Sequence, residues 1–349
     1  MQLNQEGKKN STNIQGNKVE VSVGLSYSDV KQLSLDIYKN NFIELSQRAA
    51  DIAFSRVEEL TNDLIEKLRK DTAVNIQKID DPDIQHAIFT AQKGYARSGE
   101  DEMKKTLNNI LIERIKLNGQ PLLQIVLNEA IEVVPKLTRQ QLDILSFVFI
   151  TSQTKNPNVR NIEDFRTYIK IFYLPFLSSL SAKHSVYQHL EYTGCCGKQR
   201  VGSIYFCEML HNQYRHVFQK GFTLEKFEAA AGGNQFISSL LVKNSFNPEL
   251  YSLNITSIAE LKEIVITKLS MSETNFQDLK GLYSLNLLGI PKSEDFLLDK
   301  IPEIEPFINI WRNSHLPSMY QTSVGNAIGI TNIKSKIDIS FNLSSWIKE

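Results

Sequence analysis

Residues 28–70 read SDVKQLSLDIYKNNFIELSQRAADIAFSRVEELTNDLIEKLRK, and this stretch decides the fold because it contains neither Gly nor Pro. Ser26 or Ser28 can cap a helix start, and Asp29 suits the first turn. Apolar residues then recur at steps of three and four, along one helix face. They are Tyr38, Phe42, Leu45, Ala49, Ile52, Ala53, Val57, Leu60, Leu64 and Leu68. The pattern predicts one long amphipathic helix within residues 25–75.

The length of this helix leaves two alternatives for its role. At about 1.5 Å per residue it would reach roughly 60 Å, far beyond the mean helix of about 11–12 residues. It must therefore pack along its own domain, broken once, or pair with another chain as a coiled coil. Arg56 interrupts the apolar stripe, so a strict heptad does not persist. In the second alternative the interaction surface consists of Tyr38, Phe42, Leu45, Ile52, Leu60 and Leu64.

The remaining sequence divides into three further parts. Residues 1–24 form a polar leader with a short alternating strand pattern at its end. Residues 80–240 are expected to form a helical core domain, because Asp81-Pro82 opens a series of helical patterns. They lie at about 83–97, 101–117, 120–134, 138–154 and 162–174. Residues 241–349 have short helices and a closing strand pattern at Ile337–Trp346, so the fold is expected to be mainly α with a smaller α+β region at its end.

Composition excludes several classes of protein. The chain of 349 residues carries 39 basic and 39 acidic side chains, so a general nucleic-acid partner is not indicated, although a local basic patch can exist. The start of the chain lacks the apolar region of a secretory signal, and no apolar run is long enough to span a membrane. The three clustered cysteines suit a reducing compartment, so we expect a cytoplasmic protein.

Cysteines and histidines cluster in one part of the chain. The residues are His184, His189, Cys195, Cys196, Cys207, His211 and His216. Cys195, Cys207 and His211 are weak metal candidates, because the Cys207-x3-His211 spacing shares a helix face but no C-x2-C pair is present. Cys195 is also a weak nucleophile candidate, with His189 or His211 as its base. The sequence favours buried thiols and ordinary histidines over both sites.

Other catalytic patterns are weaker. Pro82-Asp83 and Glu102-x-Lys104 imitate the spacing of a metal-dependent nuclease, yet both acids are expected at helix starts, where they favour the helix dipole. The P-loop, dinucleotide-binding and nucleophile-elbow motifs are absent from the sequence, so no cofactor is predicted. A hydrolase or nuclease remains an alternative only through scattered residues.

Several blocks of sequence resemble an uncharacterised bacterial protein family. They are Gly24–Lys31, Asp81–Gln85, Phe89–Lys93, Gln124–Glu129 and Leu190–Cys195. The resemblance covers most of the chain and implies no reaction and no catalytic residues. The polar leader and the Gly-Leu-Ser-Tyr-Ser block are similar to the start of bacterial defence-associated proteins, which implies a role in antiphage defence. Residues 320–328 resemble the end of winged-helix modules, and this implies a DNA-binding regulator as a further alternative.

The leading hypothesis combines the long helix, the leader and the missing catalytic motifs. It is a cytoplasmic, helical protein that self-associates. The expected partners are a second copy of the chain and a protein encoded nearby. An activity is not predicted.

Overall fold

The computed structural model describes residues 26–348, except for 42–46, 199–203 and 234. The first half of the described chain is a series of helices joined by short turns. They are α1 (Tyr27–Asn41), α2 (Gln47–Lys70), α3 (Pro82–Ser98), α4 (Asp101–Lys116), α5 (Pro121–Val133), α6 (Arg139–Gln153) and α7 (Ile162–Tyr168). Asp81 caps α3 with Pro82 in its first turn, and Thr138 and Gln141 form the capping box that opens α6.

Shorter helices follow, with small antiparallel strand pairs between them. The helices are α8 (Leu174–Leu177), α9 (His184–Tyr192), α10 (Phe206–Gln213), α11 (Leu224–Ala231), α12 (Ile258–Lys262), α13 (Glu273–Leu285), α14 (Ile290–Lys300), α15 (Glu305–Arg312) and α16 (Ser323–Ile337). The strands are β1 (Cys196–Lys198), β2 (Leu241–Lys243), β3 (Tyr251–Leu253) and β4 (Met319–Gln321), and β1 pairs with β4 while β2 pairs with β3. The prediction of a mainly α fold with a small mixed region is confirmed.

The single helix expected over residues 28–70 is corrected to two helices that pack against each other. The Tyr27 hydroxyl at the start of α1 donates to the Leu68 carbonyl near the end of α2, at 3.5 Å. Lys31 of α1 also lies 3.7 Å from Glu58 of α2. The helices therefore run antiparallel as a hairpin, which buries each apolar stripe inside the chain instead of along a rod. The expected strand at the end of the leader lies outside the described residues.

The expected interaction surface on this hairpin is also corrected. Tyr38, Leu60 and Leu64 are buried, with at most 3% of each residue exposed, because they pack into the core of the same chain. Only Ile52, at 47% exposed, faces solvent among the predicted residues that the structure describes. Phe42 and Leu45 lie outside the described residues.

The break in the apolar stripe at Arg56 has a local cause. Its guanidinium Nη1 donates to the carbonyls of Ala96 and Arg97, at 2.9 and 3.3 Å. These carbonyls belong to the last turn of α3, where a cation suits both the unpaired acceptors and the helix dipole. Arg56 therefore caps α3, and its position on α2 is set by that contact.

Helix α16 lies at the centre of the helical body, packed against α4, α5 and α6. Thr322 caps it by accepting a hydrogen bond from the Gly325 backbone N–H. Gly325 lies against the chain before β1, since a Cβ atom there would be 1.9 Å from the Cys195 carbonyl oxygen. The closing strand predicted for Ile337–Trp346 is wrong: Ile337 ends α16, and Leu343–Ser345 form a 3-10 turn.

A second hydrophobic core divides the chain differently from the expected boundary at residue 240. Residues between Phe222 and Tyr283 form this core, and we call the segment 222–283 the inserted lobe. Residues from Leu288 onward rejoin the core of the helical body. Lys220 N donates to Asn286 O at 2.7 Å, and Leu288 N donates to Phe218 O at 2.8 Å. The chain therefore leaves the body and returns to it at one place.

The buried charge beside α16 is paired. The Asp143 carboxylate, 3% exposed, accepts hydrogen bonds from Asn332 Nδ2 at 3.1 Å and Ser179 Oγ at 2.5 Å, and forms an ion pair with Lys336. Asn332 Nδ2 also donates to Ser146 Oγ, at 2.8 Å. Burial of an ion pair is tolerated when its remaining bonding positions are filled, as they are here. In the described part of the chain, every helix is too short or too polar to cross a membrane.

Candidate functional site

The structure places the candidate residues Cys195, His189 and His211 in separate surroundings. His189 Nδ1 lies 2.9 Å from Gln141 Nε2, whereas His211 Nε2 donates to the Leu288 carbonyl at 3.0 Å. The Cys195 thiol accepts a hydrogen bond from Thr193 Oγ1, at 3.5 Å. Among the described residues, no hydrogen bond joins the thiol to either histidine, so the pairing that nucleophilic catalysis needs is not assembled.

The cysteine thiols lack the surroundings of reactive groups. Burial raises the pKa of Cys195, and raises the pKa of Cys196 and of Cys207 to about 12. Such thiols are protonated at neutral pH, whereas the thiolate is both the nucleophile and the metal ligand. Within the described residues, no group of three or more His, Cys, Asp or Glu side chains is placed to hold a metal ion.

Asp83 and Glu102, the two acids of the nuclease pattern, bind different partners. Asp83 lies in the first turn of α3, where it forms an ion pair with Arg114 and accepts hydrogen bonds from Gln124 and Asn128. These bonds, that from Gln124 foremost, hold the pKa of Asp83 below its usual value. Glu102 instead lies 3.1 Å from Arg139. Both acids occur at helix starts as expected, and each is occupied by a structural contact.

A cleft of about 660 Å³ lies where the last turns of α2 and α16 meet α4. Lysines line it, but carboxylates lie beside them: Lys67 is 3.2 Å from Asp63, and Lys105 is 2.6 Å from Asp101. Lysines at helix C-termini also balance the negative ends of the helix dipoles. The charges of this cleft are therefore explained by the fold itself.

A different balance of charge occurs where the inserted lobe meets the body. Two cavities of about 210 and 240 Å³ lie at this junction. We call them the first and the second junction cavity. Among the described residues that line them, none is Asp or Glu, whereas Lys155, Arg160, Arg215 and Lys243 are basic. The junction is thus a local basic patch in a chain of zero net charge.

Two hydrogen bonds hold the body side of the junction in place. The Tyr214 hydroxyl accepts from the Asn156 backbone N–H at 2.9 Å, and His216 Nε2 donates to the Val159 carbonyl at 2.7 Å. They join the loop after α6 to the turn after α10, although more than fifty residues separate them in sequence. The loop carries Lys155 and Arg160, and the turn carries Arg215, so the two contacts bring the three cations together.

Lys155 and Arg215 supply the positive charge of the first junction cavity. Lys155 Nζ lies 5.7 Å from the centroid of the Tyr214 ring, and burial lowers the pKa of this ammonium. Neither side chain has a carboxylate within ion-pair distance among the described residues. Asn212, Thr256, Ser257 and Ser284 add hydrogen-bonding groups to the lining. An ammonium and a guanidinium without a counter-charge favour an anion between them.

The second junction cavity is lined by Arg160, His216 and Lys243. Lys243 Nζ lies 4.2 Å above the Tyr251 ring, and it has no carboxylate within ion-pair distance in the described part of the chain. Burial, and then Lys155 and Arg160, lower the pKa of His216, while its bond to Val159 and Glu260 oppose the shift. Its Nδ1 is buried without a hydrogen-bond partner among the described atoms. The charges of both cavities therefore affect the pKa of His216.

One carboxylate joins the two cavities at their rims. Glu260 Oε1 lies 3.1 Å from Arg160 Nη1, which belongs to the second cavity. Glu260 Oε2 accepts from the backbone N–H and the hydroxyl of Thr256, at 2.7 and 2.8 Å, and Thr256 belongs to the first cavity. Its bonds to Thr256 and to Arg160 lower the pKa of Glu260 despite its partial burial. Glu260 thus links the lobe to the body.

The junction was not among the sites predicted from sequence. Its basic residues come from segments far apart in the chain, and no motif connects them. The only signal in the sequence was general, since zero net charge does not exclude a local patch. The contacts of Tyr214 and His216 that assemble the site are visible only in the fold.

Comparison with known proteins gives a family and no function. The model of a family of uncharacterised proteins matches residues 24–347. Comparisons with curated proteins and with solved structures gave no match. Because the family model matches nearly the whole chain, this chain belongs to that family of uncharacterised proteins.

Proposed function

We propose that this chain is a binding protein for a small anionic molecule that carries a phosphate group. The phosphate group binds at the junction of the inserted lobe and the body. One observation carries the proposal: Lys155 and Arg215 line the same cavity without a carboxylate partner among the described residues. Ligand sites are common between two parts of a protein that have separate cores.

The chemistry of the first junction cavity suits phosphate better than an apolar ligand. Arg offers a planar fork of donors that matches phosphate oxygens, and Lys adds a point charge. The hydroxyl and amide groups of Ser257, Ser284 and Asn212 can donate to the remaining oxygens. Partial burial lowers the pKa of the exposed Lys155, and no carboxylate among the described residues opposes that shift.

Calorimetric titration with inorganic phosphate at low salt tests the proposal. Lys155→Met and Arg215→Gln should each weaken binding by about tenfold or more, since a hydrogen bond to a charged group contributes about 1.5–3 kcal/mol. Lys292→Met is the matched control, because this exposed lysine lies on α14, outside the junction. Equal affinity in all four proteins, or no phosphate binding to the unaltered chain, would refute the proposal.

Self-association is a second proposal, now resting on a smaller surface. It is supported by Ile52, which is 47% exposed on α2 as the amphipathic pattern expects for an interface residue. Light scattering on the full chain and on Ile52→Glu tests it. A monomer at all concentrations would refute it. The point variant is chosen over a deletion of residues 1–70, because that deletion would remove Leu60 and Leu64 from the core.

A role in antiphage defence and a cytoplasmic location are also proposals. The support for defence is the likeness of the leader and of residues 24–28 to defence-associated proteins, and the support for location is the set of free cysteines. Phage challenge of cells with and without the gene tests the first. Fractionation of the same cells tests the second.

A further inference from the structure

We infer that the ligand of the junction carries a diphosphate group that spans both junction cavities, and that Glu260 occupies the place of one of its phosphates when the ligand is absent. The inference rests on the proposed function and goes further in naming the ligand class and an internal competitor for the site.

The contacts of Glu260 outline an anion site. Its carboxylate accepts from Arg160 Nη1, from the Thr256 backbone N–H and from the Thr256 hydroxyl, at 3.1, 2.7 and 2.8 Å. A guanidinium, an amide N–H and a hydroxyl are the donors that proteins direct at phosphate oxygens. These three donors therefore bind Glu260 in the way in which they would bind a phosphate.

The position of this carboxylate sets the size of the ligand. Arg160 lines the second cavity and Thr256 lines the first, yet a single carboxylate contacts both. One acidic group is therefore enough to bridge Arg160 of the second cavity and Thr256 of the first. We infer that a ligand with one phosphate beside Lys155 and Arg215 places a second acidic group in that position.

The charge of the junction also exceeds what one phosphate can neutralise. Lys155, Arg160, Arg215 and Lys243 bring four positive charges, and Glu260 brings one negative charge. A phosphate monoester carries about −1.5 to −2 at neutral pH, which leaves a positive surplus. A diphosphate group supplies the additional negative charge, and the class that fits is a small diphosphate ester such as a nucleoside diphosphate.

Displacement of Glu260 gives the ligand a competitor inside the protein. When the second phosphate takes Arg160 and Thr256, the Glu260 side chain, which is 25% exposed, moves out to water. A diphosphate must displace Glu260 from Arg160, and it recovers that loss through its own bonds to Arg160 and Thr256. Glu260 therefore competes with the second phosphate of a diphosphate, whereas a monophosphate beside Lys155 and Arg215 leaves Glu260 in place.

The test is a comparison of inorganic phosphate and pyrophosphate as probes, titrated calorimetrically into the full chain. We expect pyrophosphate to bind at least about tenfold more tightly than phosphate. Glu260→Gln should tighten pyrophosphate binding by about threefold or more, and phosphate binding by less. Arg160→Gln should remove the preference for pyrophosphate and leave phosphate binding within about twofold. Thermal unfolding of each variant confirms that the lobe stays folded.

The outcomes separate this inference from the proposed function. Equal affinity for the two probes, unchanged in Glu260→Gln, would overturn the diphosphate and leave the phosphate site standing. Failure of the unaltered chain to bind either probe, or binding of both that Lys155→Met leaves unchanged, would refute the proposed function as well. A single-stranded oligonucleotide that displaces pyrophosphate and binds more tightly would overturn the small-molecule ligand in favour of a polynucleotide. If Glu260→Gln unfolds the lobe, Arg160→Gln still decides the matter.

Discussion

The interior around α16 and the junction of the inserted lobe differ in whether their charged side chains have partners of opposite charge. Around α16 the Asp143 carboxylate has a cation, an amide and a hydroxyl as partners, so its bonding positions are filled. At the junction, no carboxylate of the described residues lies within ion-pair distance of Lys155, Arg215 or Lys243. A fold has to pair the charges that it buries, but it can leave unpaired charges where a ligand completes them. The difference separates groups that hold the structure together from groups that are free to bind.

The largest expected effect breaks the paired interior. Lys336→Met leaves the Asp143 carboxylate buried without its cation, and we expect a loss of about 3–5 kcal/mol of unfolding free energy. Chemical denaturation measures it. Asp143→Asn in the same chain should restore much of the loss, because the uncompensated charge is gone. If Lys336→Met alone were as stable as the unaltered chain, the Asp143–Lys336 pair would not be needed to stabilise the interior.

The second effect tests the close packing of α16. Gly325→Ala places a Cβ atom against the Cys195 carbonyl oxygen, and we expect a loss of about 3 kcal/mol by denaturant unfolding. The matched control is Gly281→Ala in α13 of the inserted lobe, where no described atom beyond the neighbouring backbone of the helix lies within 4 Å of the added carbon. That change should stabilise by about 0.5–1 kcal/mol, because alanine favours helix interiors. A Gly325→Ala variant at least as stable as the unaltered chain would show that the packing is not tight.

A third effect follows from the lowered pKa values of His216 and His315. Burial is the main cause in both, and Lys198 and His184 add to it for His315. The unfolded chain then binds more protons than the folded chain below the usual histidine pKa of about 6.5. Stability should be present above that pH and fall as the pH drops towards 5. Denaturation midpoints should fall less in His216→Gln combined with His315→Asn, and an identical slope would contradict the assignment.

The smallest expected effect distinguishes the two regions most directly. Lys155→Met removes a cation that has no carboxylate partner, so the unfolding free energy should change by less than about 0.5 kcal/mol. Phosphate binding should nevertheless weaken, as proposed above. A loss of stability comparable to that of Lys336→Met would mean that Lys155 is a structural residue.

The sequence predicted those parts of the fold that depend on neighbouring residues. The Asp81-Pro82 start of α3 occurs as the sequence indicates, and further caps are formed by Thr138 with Gln141 at α6 and by Thr322 at α16. Caps depend on residues three or four apart, so a single sequence contains them. What could not be predicted depends on tertiary contacts, such as the hairpin of α1 and α2 and the return of the chain at Leu288.

The candidate site was beyond the sequence for the same physical reason. Cys195, His189 and His211 are close in sequence yet bind different segments of the fold. Lys155, Arg215 and Glu260 are distant in sequence yet meet at one junction. Residues with reactive or charged side chains form a site only when the fold brings them together. Here their positions depend on the backbone carbonyls to which His211 and His216 donate hydrogen bonds.

The central place of α16 has a consequence for how the protein is made. The groove between α4, α5 and α6 stays unfilled on the ribosome until residues 323–337 have been synthesised and have left the exit tunnel. Until then the nascent chain exposes the apolar side chains that later surround Ile328 and Ile330. Such a chain completes this core only after the helices that precede α16 have been translated, and we expect newly made copies to depend on chaperones that hold exposed apolar segments.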